Sequence, residues 1–187
     1  ENKMRSIKSL LAGVVCAMLL STGAFAGSDL NEVGAFLVYP TIITEDTVHP
    51  NAAGLLETFV TITNAGPDDV VAHVSYINGE ADSSQYCYEC DFEIPLTGND
   101  TETLVITQMA GGGVRILAED LYLDMSCPWP YGMLVVALQD EDGNTISDNV
   151  LLGEEVIVNY RQGTALSIPA IPFQGSGNDG NREYSFD

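Results

Sequence analysis

The sequence predicts an all-β protein, an antiparallel β-sandwich with at most one short helix. Residues that favour β-structure (Val, Ile, Thr, Tyr and Phe) are grouped in short runs whose polarity alternates. These runs recur about every 10–20 residues and are separated by turn sequences, with no long helical period between them. Strands that follow one another without crossover helices pair antiparallel and pack as two sheets.

Alternation along the first half of the chain assigns its strands in order. Gly34–Ile43 contains Pro40, which indicates a sheet edge or a bulge because proline cannot donate a ladder hydrogen bond. Three more strands are expected at Leu56–Asn64, Val70–Asn78 and Asp91–Leu96. In the first of these, Thr58, Val60 and Ile62 lie on one side and Phe59, Thr61 and Thr63 on the other. The apolar faces of the next two comprise Val70, Ala72, Val74 and Tyr76, and then Phe92, Ile94 and Leu96.

The second half of the chain continues the pattern, with one ambiguous stretch. Further strands are expected at Thr103–Gln108, Gly132–Gln139, Glu154–Tyr160 and Ala165–Ile171. The run Gly132–Gln139 is the most apolar, which favours a central position in its sheet. Between Gly111 and Met125, Leu117, Leu121 and Met125 recur at every fourth residue, so a short helix or a loop is expected there.

Two segments are typical of turns. Ala65-Gly66-Pro67-Asp68 joins two predicted strands. The segment from Asp140 to Asn144 contains Asp142-Gly143, and glycine accepts the positive φ that a tight hairpin requires. Its acids also resemble the start of a calcium loop, but Thr145 and Leu151 stand where that loop has Gly and Glu. A hairpin turn is therefore the expected structure.

The run Phe59–Val74 (FVTITNAGPDDVVAHV) resembles the strand–turn–strand unit of immunoglobulin-like modules in bacterial surface proteins. Along the whole chain, GAFLVYPTI, ETFVTITN, CDFEIPLT and VIVNYRQGTALSIPAIPFQ are similar to a group of uncharacterised secreted proteins of Gram-negative bacteria. The resemblance implies an immunoglobulin-like β-sandwich and an extracytoplasmic location. It implies no catalytic residues.

Residues 4–26 have the three parts of a secretory signal peptide. A short basic region with Arg5 and Lys8 precedes the apolar run Leu10–Leu20, and Ala24-Phe25-Ala26 forms a cleavage site. The apolar run is too short to span a bilayer, which takes roughly 20 residues. We expect a Sec-type leader with upstream residues over 1–26, a sandwich domain over 27–173, and a linker or the start of a missing C-terminal part over 174–187. The mature protein is expected to be secreted or at the cell surface, without membrane insertion.

From Gly27 onward the sequence contains no lysine. Arg115, Arg161 and Arg182 are the only permanent cations there, against 26 acids, because Glu1 is the one acid of 27 that lies upstream. The resulting formal charge of about −23 excludes nucleic acid and anionic membranes as partners. Alternation places many acids at turns or on outward positions, including Asp91, Glu93, Asp140 and Asp142, so we expect a solvated acidic coat.

Three cysteines follow the leader: Cys87, Cys90 and Cys127. In an oxidising compartment the default is one disulfide, and we expect it to join Cys127 to Cys90 or to Cys87. A zinc site formed by the three cysteines with His49 or His73 is the alternative, although a single C-x-x-C motif is weak evidence for it. No cofactor is expected.

The sequence contains no G-x-S-x-G motif, no P-loop and no Ser or Cys nucleophile motif beside a histidine. Trp129 and Tyr131, in a proline-rich loop, are weak candidates for stacking on a sugar, and packing against the sandwich is the competing interpretation. The leading hypothesis is a non-catalytic secreted or cell-surface module with a structural, adhesive or interaction role. A protein or cell-surface partner is compatible with it, and the oligomeric state stays open. The alternatives are an extracellular metal-binding or redox protein and a carbohydrate-binding accessory module.

Overall fold

The structure, a computed structural model, describes residues 32–44, 56–79, 88–110, 112–118, 121–140 and 143–175. These residues form eleven β-strands and no helix, so no helix that could cross a membrane is found in this part of the chain. The strands are β1 (Phe36–Ile43), β2 (Leu56–Asn64), β3 (Val70–Asn78), β4 (Glu89–Leu96), β5 (Thr101–Gln108), β6 (Val114–Ala118), β7 (Leu123–Cys127), β8 (Tyr131–Gln139), β9 (Leu151–Asn159), β10 (Thr164–Pro169) and β11 (Ile171–Phe173). The predicted leader lies outside the described residues.

The strands form two antiparallel sheets that pack face to face. The five-stranded sheet has the order β11-β1-β8-β3-β4, and the six-stranded sheet has the order β10-β9-β2-β5-β6-β7. The predicted antiparallel β-sandwich is therefore confirmed, while the immunoglobulin-like assignment remains a prediction. β8 lies at the centre of its sheet, as its apolar sequence indicates.

The core lies between the sheets and is built from the alternating apolar positions. The predicted apolar faces of β3 and β4 are buried, with only Val70 at the rim. Of the two sides of β2, the one with Thr58, Val60 and Ile62 is buried. β8 adds Leu134, Val136 and Leu138, all fully buried. Burying an aliphatic side chain of this size contributes about 1.5–3 kcal/mol to the free energy of unfolding. The apolar side chains packed between the two sheets are therefore the main source of stability.

β1 contains the bulge that its proline predicts. The register between β1 and β8 shifts between Tyr39 and Ile42, around Pro40. On its other side, β1 pairs with β11 only over Phe36–Val38. The rest of that side of β1 has no partner among the described strands.

The expectation of a helix or a loop between Gly111 and Met125 is wrong. The segment forms the β6–β7 hairpin, in which Val114 pairs with Cys127 and Ala118 pairs with Leu123. β6 buries every second residue, which is the period of a strand. The four-residue spacing of Leu117, Leu121 and Met125 therefore does not indicate a helix. Tyr122 at the turn has a φ of 53°, in the left-handed region, which breaks helical continuity.

The last predicted strand, Ala165–Ile171, is divided in two. β10 ends at Pro169, Ala170 is buried, and β11 begins at Ile171 in the other sheet. The backbone N–H of Ala170 donates to the carbonyl oxygen of Gly153 at 3.0 Å, which fixes the crossing point. The β10 and β11 edges are consequently neighbours, and β4 and β7 form the edges at the opposite side of the sandwich.

The predicted turn after β2 is organised by a buried side chain. The Asn64 amide is fully buried and donates to the carbonyl oxygens of Asp68 and Thr97 at 2.7 and 3.0 Å. Its Oδ1 accepts a hydrogen bond from the backbone N–H of Gly66 at 2.9 Å. One asparagine therefore joins two turns at this end of the sandwich.

Candidate functional site

Cys90 and Cys127 face the space between the sheets. Cys90 pairs with the buried Tyr76 on β3 and packs against the core, while Cys127 pairs with the buried Val114 and is itself buried. The thiol of Cys127 is hydrogen-bonded to Cys90, and both are free thiols in the structure. Cys87 and His49 lie outside the described residues.

His73 does not join these cysteines. It lies on the outward face of β3, where its Nε2 is 3.7 Å from Oδ1 of Asp91, whereas Cys90 faces inward from the neighbouring strand. Within the described ranges, no group of three or more His, Cys, Asp or Glu residues is arranged to hold a metal ion. His73 and these two thiols therefore lie on opposite sides of the sheet and cannot form the zinc site considered from the sequence.

Trp129 is packed into the sandwich and is only 6% exposed. Its carbonyl oxygen accepts a hydrogen bond from the Tyr76 hydroxyl at 3.2 Å, and its ring centroid is 6.2 Å from that of Tyr88. Tyr131 is half-buried, and Tyr88 is 54% exposed. The exposed aromatic surface at this edge is therefore that of Tyr88, not the indole face that a sugar platform would need.

The described carboxylates of the two acidic segments, residues 140–144 and 154–155, do not form a cation site. The Asp140 carboxylate accepts hydrogen bonds from the backbone and side-chain nitrogens of Asn144, at 2.8 and 3.0 Å to its two oxygens, and Gly143 has a φ of 80°. Asp142 lies outside the described residues. Glu154 and Glu155 are adjacent on β9 and point to opposite faces, so their carboxylates do not converge on one cation.

Glu155 is the residue that the sequence prediction missed. It lies between the sheets with no exposed surface, and neither carboxylate oxygen has a hydrogen-bond partner among the described residues. Burial raises its pKa to about 7. A signal was present, because two successive acids in a strand must point to opposite faces, and one face of this strand is the core. On that face Glu155 lies beside Val60 of β2 and Ile168 of β10.

Three of the four sheet edges carry features that block pairing with another chain. β11 has three residues and includes Pro172. β4 has a row of exposed acids, and β7 has five residues with the exposed Asp124 bound to Arg115. Short length, charge and proline are the usual protections of a sheet edge.

β10 is the edge that differs. Its six residues (TALSIP) carry no charge, five of them are exposed, and its one proline, Pro169, stands at the last position of the strand and not within it. Leu166 is 57% exposed although its partner Ile157 and the next residue across, Thr58, belong to the inward face. The other sheet ends here in the short β11, so no described strand covers Leu166. We refer to Thr164–Pro169 as the β10 edge.

A scan against protein-family models, a search of curated proteins and a search of solved structures each found no match to this chain.

Proposed function

We propose that the protein is a non-catalytic, secreted or cell-surface β-sandwich that serves as an interaction module, with a structural or adhesive role, and that it binds an extended segment of another protein along the β10 edge. The observation that carries the proposal is the uncharged, exposed β10 edge on a chain of formal charge −21. Its location outside the cytoplasm rests on the predicted leader over residues 1–26.

An edge strand offers unpaired backbone N–H and C=O groups that a second extended strand can satisfy. Main-chain hydrogen bonds then supply affinity, and side chains at alternate positions supply specificity. On the β10 edge, Leu166 and the half-buried Ile168 are the apolar side chains on one face. An apolar side chain of the partner packed against Leu166 would remove water from both surfaces.

The surroundings of the β10 edge favour a partner with basic residues beside its apolar ones. The ladder partner of Pro169 is Glu154, and Glu57 accepts a hydrogen bond from Tyr160 close to the β9–β10 turn, at 2.8 Å. Arg161 is the one permanent cation of this turn. Charge complementarity of this kind mainly raises association rates and excludes acidic partners.

Photo-crosslinking in the producing cells tests this proposal. A photoreactive phenylalanine analogue at position 166 should capture a protein that the same group at Tyr122 does not, because Tyr122 is 96% exposed on the β6–β7 turn, away from β10. With that partner purified, Leu166→Lys should weaken binding at least tenfold, since an added lysine charge blocks an edge. Tyr122→Lys should leave the affinity unchanged.

Three results would contradict the proposal. The first is the absence of any specific crosslink at position 166, and the second is an equal loss of affinity in both lysine variants. The third is turnover of a substrate by the purified protein that disappears in Glu155→Gln, because that would identify the buried carboxylate as a catalytic group. Capture of a second copy of the chain would identify self-assembly as the form that the interaction takes.

A further inference from the structure

The second feature with chemical consequences lies at the opposite side of the sandwich, where β4 and β7 form the edges of the two sheets. These strands belong to different sheets, so no ladder hydrogen bonds join them. Cys90 near the start of β4 and Cys127 at the end of β7 both point into the gap, and their sulfur groups are in hydrogen-bond contact.

The neighbouring contacts hold the two cysteines in place. Two residues before Cys90, the ring of Tyr88 lies against that of Trp129, two residues after Cys127. The hydroxyl of Tyr76, the ladder partner of Cys90, donates to the carbonyl oxygen of Trp129 at 3.2 Å. Three contacts therefore join the short segment from Cys127 to Trp129 to β3 and to the start of β4, and the cysteine pair is one of them.

We propose that Cys90 and Cys127 form a disulfide that links the two sheets across the β4/β7 edge, with Cys87 as the cysteine left out of the bridge. The two thiols lose two electrons and two protons as the S–S bond forms, and a small-molecule or protein disulfide is reduced to two thiols in exchange. The phase of β4 selects Cys90, because it shares the inward face with Phe92, Ile94 and Leu96.

The environment of Cys127 indicates a structural bond, not a reactive thiol. Burial first, and then the hydrogen bond to Cys90, raise the pKa of the Cys127 thiol far above its usual range. Because the thiolate is the reacting form, such a thiol exchanges slowly once the sandwich has closed. The bridge would close a loop of about 37 residues, the difference between positions 127 and 90, and restrict the unfolded chain accordingly.

Peptide mapping of protein purified without reductant tests the pairing directly. Free thiols are alkylated in denaturant, because Cys127 is buried, and the chain is then cut after glutamate. Glu89 separates Cys87 from Cys90, so the two are distinguished. We expect residues 90–93 to be joined to residues 120–141 and the peptide that contains Cys87 to be alkylated. Refolding of reduced, denatured protein in a buffer of reduced and oxidised glutathione should restore the same linked pair, because the thiols are accessible before the sandwich closes.

Matched variants give a second measurement. Cys87→Ser should keep both the bridge and the melting temperature, whereas reduction of the parent protein should lower the melting temperature by about 10 °C. In Cys127→Ser, which cannot form this bridge, reduction should leave the melting temperature unchanged. A bridge from Cys87 to either other cysteine, three alkylated thiols after glutathione treatment, or a metal ion that co-purifies with three reduced thiols would each overturn the proposal.

Discussion

At Glu155, a carboxylate that water would normally solvate lies between two sheets with no exposed surface. The titratable group that faces it from β1 is Tyr39, whose pKa is raised by burial and then by the charge of Glu155. Tyr39 does not relieve the carboxylate, because its hydroxyl donates to the carbonyl oxygen of Thr61 at 2.6 Å. A buried carboxylate without a donor favours its protonated form, which makes stability depend on pH at this one residue.

The direction of that dependence follows from the pKa. The folded-state value of about 7 exceeds the ordinary value of 4.5, so the contribution of Glu155 to stability is complete below pH 4.5 and is lost as the pH rises through 7. A shift of this size corresponds to on the order of 3 kcal/mol. Glu155→Gln removes the charge and keeps the shape, so we expect its free energy of unfolding to exceed that of the parent by about 1–3 kcal/mol at pH 8 and to match it at pH 4. Urea unfolding at both pH values measures the difference.

Glu93→Gln is the control for this prediction, because Glu93 is exposed on β4. Its gain over the parent at pH 8 should be well below that of Glu155→Gln, because water solvates an exposed carboxylate and a buried one lacks this solvation. If Glu155→Gln destabilises the protein at pH 8, the side chain has a hydrogen-bond partner in its charged form and the argument from burial fails.

At the scale of the elements, the alternation in polarity predicts β2, β3 and β4, whereas it does not identify the shorter β6 and β7. β2, β3 and β4 follow from a period of two, and the same period identifies Cys90 as inward and Glu155 as buried once the phase of each strand is known. The open edge could not be predicted in this way. Which strand ends a sheet depends on pairing between distant segments, and the exposure of Leu166 depends on the short β11 in the other sheet. The local alternation of polarity predicts neither the position of a strand in its sheet nor the exposure of a side chain that the other sheet fails to cover.

The packing of β1 against β9 depends on a glycine that alternation does not explain. The Tyr39 hydroxyl lies against the bare backbone of Gly153, where an added Cβ would overlap it and would lie 2.9 Å from the Thr61 carbonyl oxygen. The hydroxyl is held by its hydrogen bond to Thr61 and cannot retreat freely. We expect Gly153→Ala to lower the free energy of unfolding by about 2–3 kcal/mol, measured by denaturant unfolding.

A double-mutant cycle separates this contact from a general effect of alanine in the strand. Tyr39→Phe removes the hydroxyl and should cost about 1 kcal/mol for its hydrogen bond. In the Tyr39→Phe background, Gly153→Ala should cost clearly less than it does in the parent, because the overlapping atom is gone. Additive costs in the double variant would show that the Tyr39 hydroxyl is not what excludes a side chain at position 153.

At the scale of the whole molecule, the acidic coat that the sequence predicts surrounds an apolar sandwich. Asp91 and Glu93 are exposed on β4, as expected from alternation. Arg115 is bound to Asp124 by two hydrogen bonds on the surface, at 2.7 Å from its Nε and 2.5 Å from its Nη2. With a formal charge of −21, repulsion among acids is a property of the entire surface and not of one cluster.

This repulsion predicts how the melting temperature responds to salt. Raising the ionic strength from 0.01 to 0.15 M shortens the screening length from about 30 to about 8 Å, so the repulsion between acids farther apart than this is largely screened. We expect the melting temperature at pH 7.5 to rise by roughly 5 °C over this range in sodium chloride. At pH 3 most carboxylates are neutral, and the same salt series should then give a nearly flat response. An equal rise at both pH values would assign the effect to salt acting on apolar hydration, and a fall at pH 7.5 would show that attraction between charges outweighs the repulsion of the coat.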